Sequence, residues 1–302
     1  MTTDDWEKEQ QNIISHLTRW LSKLDTNSRE KRIANFLALL EQYKPHADNH
    51  FLTELCNGKD CTFAQRYWEM YLFTLCTANG LTVLPHTKKG PDIAIQHPTD
   101  TSRKIFIEAI APTRGEGPNE IPRLISSPPD RVVLQDVPAP QILLRWTSAF
   151  KDKTEKFKEY RKSRIVSEND YCVIAINSCL WKEWNFNGIS NYPAILEALY
   201  GVGPSQMNIN SGETDKTYRP KIQTNNNSSV STVPFLEDNA NFISAVIAGC
   251  IDLEDESVNP LLIHNLKARN RISKGLLPVK EEYSPVLESG QVFLIHENNS
   301  IR

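Results

Sequence analysis

The sequence predicts an α/β fold, a mixed sheet flanked by helices and preceded by an N-terminal helical segment. Three observations carry this. The first sixty residues repeat apolar side chains at helical spacing. Residues 90–111 hold two apolar-alternating runs around a turn, and later strand-like runs are separated by a long helical one. With 302 residues, one large or two smaller domains are possible and there is ample chain for a buried core.

Ile13, Ile14, Leu17, Trp20, Leu21 and Leu24 recur at helical spacing. After the Asp25-Thr26-Asn27-Ser28 break, Ile33, Phe36, Leu37, Leu40 and Tyr43 do so again until Pro45. Residues 1–60 therefore read as a helical hairpin, packed on the main domain or offering a surface to a partner protein or a second copy. The α/β domain then runs over 61–302. Its first helix, 62–79, is apolar on nearly every side, as buried helices are, and stops at Gly80, a natural cap. Residues 81–84 read as a first strand ending at Pro85. In 90–111, GPDIAIQHPTDTSRKIFIEAIA, residues 97–102 supply the turn. Seven prolines in 112–140 rule out regular structure there and suggest an ordered loop or lid beside a site. A long helix over 139–164, a strand over 171–176 and a short helix over 192–200 follow. Residues 201–234, rich in Asn, Ser and Thr with almost no apolar anchor, read as a mobile insertion. Strands are expected over 242–248, 260–264 and, last, 291–296.

Each arm of the 90–111 hairpin carries one carboxylate where a core residue belongs. Asp92 leads Ile93-Ala94-Ile95, and Glu108 interrupts Ile105-Phe106-Ile107 and Ala109-Ile110. The hairpin brings the two together at one end of a sheet. Like charges at short range need a cation between them or a retained proton, and an oxygen-rich pair suits Mg²⁺. Removing either member of a repulsive pair should leave the fold intact or more stable.

Pro91-Asp92, fifteen residues, then Glu108-Ala109-Ile110 resembles the active-site signature of the PD-(D/E)xK nuclease superfamily, with its restriction-endonuclease-like fold. The resemblance covers roughly 60–180 and rests on a short motif. It implies that Asp92 and Glu108 hold Mg²⁺ or Mn²⁺, while a lysine assists the attacking water. The chain departs at one position: Ile110 stands where the family has that lysine. Either the lysine comes from elsewhere or the site is dead.

Relatives of this fold are known to supply the lysine from a nearby helix, and the long helix offers one. Its apolar stripe, Trp146, Phe150, Phe157 and Tyr160, lacks a member at 153, and Lys153 stands there. A lysine on such a stripe can also snorkel to the surface. Lys151, Lys156, Lys158 and Lys162 fall on or near the polar side. Lys104, Lys88 and Lys89 are weaker candidates. Glu69 is the only charged residue between Trp68 and Asn79 on the buried helix and needs a partner. That partner is either an arginine, such as Arg66 or Arg145, or a metal shared with Asp92 and Glu108, as the acidic residue on the corresponding family helix implies.

The net charge of −3 excludes a generally basic nucleic-acid coat, so phosphate contact must come from a local patch. Lys267, Arg269, Arg271 and Lys274, four cations in eight residues without an acid, form such a surface. His264-Asn265 at a strand end could join a site, though a satisfied structural histidine is the commoner case. Trp181 and Trp184 could stack a base, with burial the commoner outcome. The six cysteines show no paired metal spacing and read as reduced thiols of a cytoplasmic protein. The polar, acidic N-terminus is no signal peptide, and no apolar run approaches membrane-spanning length.

Two functions follow. One is a metal-dependent nuclease acting on DNA or RNA, as would suit a defence or restriction component, with Asp92, Glu108 and Lys153 catalytic and Glu69 beside the metal. The other is an inactive relative that binds nucleic acid or protein. Hydrolysis of another phosphoester by the same chemistry is a third reading. Retention of three carboxylates in apolar surroundings argues against decay.

Overall fold

The computed structural model describes residues 3–48, 50–56, 59–87, 89–126, 133–184, 187–225, 227–254 and 259–299. The amphipathic N-terminal runs form α1 (Thr3–Trp20) and α2 (Thr26–Tyr43), and α2 starts where the Asp25 carboxylate accepts the Ser28 N–H at 3.0 Å. A short α3 (Phe51–Leu55) leads to α4 (Asp60–Ala78). Gly80, at φ +80°, ends α4: Leu81 N–H reaches back to the Cys76 carbonyl, the six-to-one bond of a left-handed helix terminus.

Next come β1 (Ile93–Gln96), β2 (Lys104–Ile110), α5 (Ala139–Lys162), β3 (Tyr171–Asn177) and α6 (Ala194–Tyr200). Two small hairpins, β4 (Val202–Met207) with β5 (Thr214–Tyr218) and β6 (Lys221–Gln223) with β7 (Ser229–Ser231), precede β8 (Ile243–Gly249), β9 (Leu261–His264), β10 (Glu281–Glu288) and β11 (Gln291–Asn298). The seven-stranded sheet runs β1-β2-β3-β8-β9-β10-β11. β2, β3 and β8 are mutually parallel, and so are β9 and β10, while the other pairs are antiparallel. The chain is thus α/β, a mixed sheet flanked by helices with an N-terminal helical segment.

Alternation along the strands assigns the two faces. Ile93, Ile95, Ile105, Ile107, Ala109, Val173 and Ala175 pack against α4 and, through it, against the N-terminal helices. Phe106, Cys172, Ile174, Ile176 and Val246 pack with α5 and α6. The first sixty residues therefore share one apolar core with the sheet. Glu108, between Ile107 and Ala109, falls on the α5 face.

Three elements differ from the sequence reading. Residues 81–84 form no strand of their own: Val83 makes a single bridge to Ile95, and Pro85 ends the pairing. The 201–234 segment, read as a mobile insertion, holds the two small hairpins and is anchored by buried Ile222, Val233 and Phe235. β10 was not foreseen because Pro285 interrupts its pattern. β9 pairs only with 281–283, so the proline lies beyond that neighbour, where a missing N–H is tolerated. Among the described residues, no helix is long and apolar enough to cross a membrane.

Candidate active site

The β1–β2 register pairs Ile93 with Ile107 and so sets Asp92 beside Glu108. Asp92 Oδ2 accepts the Ala109 N–H at 2.7 Å, which ties the start of one strand to the other. Glu108 is fully buried. Lys153 Nζ reaches its Oε1 at 2.8 Å from α5, and Lys156 Nζ contacts the same oxygen. The Tyr160 hydroxyl lies 3.3 Å from Glu108 Oε2 and 3.3 Å from the Gly90 carbonyl, so its one proton is shared between them. Residues 153, 156 and 160 follow the three-and-four spacing that puts side chains on one helix face. Ile110, where a family lysine would stand, is a partly buried member of the α5-side core.

Two carboxylates thus face two ammonium groups. Burial, then the charge of Glu108, pushes the Asp92 carboxyl up to about 7, against the pull of the two lysines. Burial opposes the charge on Lys156, yet the Glu108 carboxylate beside it holds its pKa above the ordinary lysine value. Lys156 is therefore a standing cation and no proton acceptor. Burial and Glu108 push Tyr160 up to about 12, so it stays a neutral donor.

Asp92 gives stability a pH dependence of known sign. Its pKa is higher in the folded chain than the ordinary 3.8, so between about pH 4 and 7 the folded state holds the extra proton. That contribution is complete at low pH and is lost as pH rises through about 7. We expect the wild type to lose on the order of 2–3 kcal/mol more than Asp92→Asn between about pH 5 and pH 8, read by urea midpoints. Parallel curves for the two proteins would contradict this.

Glu69 takes the first of its two foreseen partners. Its Oε2 is 2.8 Å from Arg66 Nη1, and Arg66 also meets Glu54 and Asp48. Its Oε1 accepts from Gln65 Nε2 at 2.8 Å. Among the described residues, no three His, Cys, Asp or Glu side chains are gathered closely enough to hold a metal ion, so Glu69 does not join Asp92 and Glu108 as a third ligand here. Gln65 was missed. It accepts the Ala111 N–H at 2.8 Å and donates to the Ala109 carbonyl at 3.2 Å, fixing the end of β2 against α4.

The other candidates lie elsewhere. Lys104 is exposed at the opposite end of β2, Lys89 is exposed in a turn, and Lys88 falls outside the described residues. Trp181 and Trp184 are buried. Arg114 and the Trp184 indole pin the proline-rich loop by bonds to Leu180, Ile121 and Pro122. The loop holding Lys267, Arg269, Arg271 and Lys274 is tied by Asn270 to the Asp170 carbonyl, just before β3. This places it at the far end of β2 and β3, about 13 Å of strand from Glu108. Within it Lys267 lies 3.7 Å from Asp238 and Lys274 pairs with Glu297.

A cleft of about 390 Å³ has Trp20, Phe63 and Ala64 in its lining. Lys23, Arg114, Arg123 and Lys182 line it with Asp60, Glu183, Asp252 and Glu254, so its charges cancel and it concentrates no positive potential. No family model, characterised protein or solved structure matches the chain.

Proposed function

We propose that the protein is a metal-dependent nuclease, a relative of the PD-(D/E)xK enzymes in which the strand lysine has moved to α5. One observation carries this reading: the Lys153 ammonium sits 2.8 Å from the buried Glu108, in a chain whose motif position has Ile110 in place of lysine. A lysine on an apolar stripe that merely snorkelled would point to water.

The donor set suits a hard divalent cation. Asp92 and Glu108 offer carboxylate oxygens, and the raised Asp92 pKa marks a place where added positive charge would relieve repulsion. Asp92 and Glu108 would hold Mg²⁺ or Mn²⁺, which would supply a water of lowered pKa and positive charge against the phosphate. The chain's own groups do the rest. Lys153 and Lys156 share one Glu108 oxygen, so one ammonium can turn to a phosphate oxygen or the attacking water while the other keeps the buried carboxylate paired. Tyr160 holds the second oxygen in place, and Gln65 keeps the β2 end from shifting.

The charge balance also favours a second reading. Two carboxylates and two ammonium groups satisfy each other without metal, as a non-catalytic relative that binds nucleic acid or protein would allow. Hydrolysis of bis(p-nitrophenyl) phosphate with Mg²⁺ or Mn²⁺ separates the two. Metal-dependent turnover that Asp92→Asn loses supports the enzyme, and none in either protein supports the second reading.

The basic loop makes a separate prediction. Neutralising Lys267, Arg269, Arg271 and Lys274 together is expected to weaken nucleic-acid binding and flatten its dependence on log salt by roughly two to four, about one for each phosphate no longer neutralised. The lower figure reflects the acids already beside Lys267 and Lys274. An unchanged slope would move the binding surface to the lysines of α5.

A further inference from the structure

In the other half of the sheet, β8, β9, β10 and the loop after β9 line a cavity of about 170 Å³ that is open to solvent on one side. Ser244, His264, Asn265, Arg271, Lys274 and Ser284 give it a polar lining. His264 and Ser284 are 9% and 7% exposed. The neighbouring acids are already engaged and do not line the space. Glu282, fully buried, takes His264 Nε2 at 2.6 Å and the Gly275 N–H at 2.8 Å, and Glu297 takes Lys274. Asn265 donates its amide to the Ala240 and Ile243 carbonyls and accepts from Lys267 N–H, so it shapes the loop.

The remaining groups are donors. Ser244 Oγ accepts the Cys172 N–H at 3.2 Å, which leaves its hydroxyl proton to give. Arg271 directs Nη2 to the Leu266 carbonyl at 3.0 Å and carries further N–H groups on the same guanidinium. Ser284 Oγ is buried and has no hydrogen-bond partner among the described residues. A buried hydroxyl without a partner costs stability unless something fills the space beside it. Two hydroxyls and two cations around a space too small for a nucleoside match one tetrahedral oxyanion, which offers acceptors on every side.

We propose that this cavity is a phosphate-binding site, taking inorganic phosphate or the terminal phosphomonoester of a nucleotide. It does not rest on the catalytic carboxylates, since none of its residues touches Asp92 or Glu108, although Arg271 and Lys274 also belong to the basic loop.

The test is calorimetric titration with inorganic phosphate and, separately, with 5′-AMP, at ionic strength held constant with chloride. It compares wild type with Ser284→Ala, Arg271→Gln and Lys31→Gln. Ser284→Ala removes only an unpaired polar atom and should fold. The expected result is saturable one-to-one binding that weakens roughly ten-fold in Ser284→Ala and in Arg271→Gln, the ratio a charge-assisted hydrogen bond commands. Lys31→Gln, exposed on α2 and far from the cavity in the sequence and the fold, should bind as the wild type does. AMP binding as tight as phosphate would assign the site to a terminal phosphomonoester, and phosphate binding alone would assign it to the free ion. Absence of saturable binding, or equal affinity in all four proteins, would overturn the proposal and leave water as the partner of Ser284.

Discussion

Glu108→Ala is expected to remove metal-dependent cleavage and to lower stability by about 3–5 kcal/mol, the usual cost of stripping one partner from a buried ion pair. The reason lies on α5. The Lys153 side chain is only 12% exposed and would lose its direct carboxylate partner. From sequence, removal of either carboxylate looked neutral or stabilising. The buried lysines reverse that expectation for Glu108. It still applies to Asp92, whose burial and proximity to Glu108 oppose ionisation, so Asp92→Ala should fold with unchanged or higher stability at about pH 8 while losing cleavage. Chemical denaturation of both variants reads the contrast. Equal effects on stability would mean that the two carboxylates share the lysines evenly.

Lys153→Met should fold close to normally, because Glu108 keeps Lys156 and Tyr160, and should lose roughly 10²–10³-fold in turnover with metal, the scale for one preorganised donor at a reacting centre. Lys153→Arg should fail as well, since a planar, bulkier guanidinium cannot occupy the place of a compact ammonium beside Glu108 and the reacting centre. Lys156→Met removes a standing cation from a more exposed position and should cost less. If Lys156→Met proved the more damaging, the two lysines would exchange roles, and single-turnover rates on a short phosphodiester would show it.

Much of the site was legible because its residues break local patterns. Asp92 and Glu108 interrupt apolar strands, and Lys153 occupies a vacancy in the stripe of Trp146, Phe150, Phe157 and Tyr160. The residues missed break no pattern. Lys156 falls on the polar side by angle, yet a long lysine one turn from Lys153 reaches the same carboxylate. Tyr160 counted as an apolar stripe member, and its hydroxyl acquires a role only once Gly90 and Glu108 are placed beside it. Gln65 is an ordinary polar residue until the end of β2 lies against α4. The basic loop was a sound local pattern, but adjacency to Asp238 and Glu297 depends on distant chain segments that spacing does not reveal. The fold shows the same division. Helices with clear periodicity appeared where expected. β10 was hidden by Pro285, and the 202–231 hairpins by a composition poor in apolar residues.

The most direct measurement is cleavage of plasmid DNA, single-stranded DNA and RNA by the purified protein with Mg²⁺ or Mn²⁺, set beside Asp92→Ala and a chelator control. Metal-dependent cleavage of at least one of the three substrates is expected, abolished by chelation and by Asp92→Ala in a protein that remains folded. Cleavage of none, or equal cleavage by Asp92→Ala at matched metal concentration, would contradict the nuclease assignment.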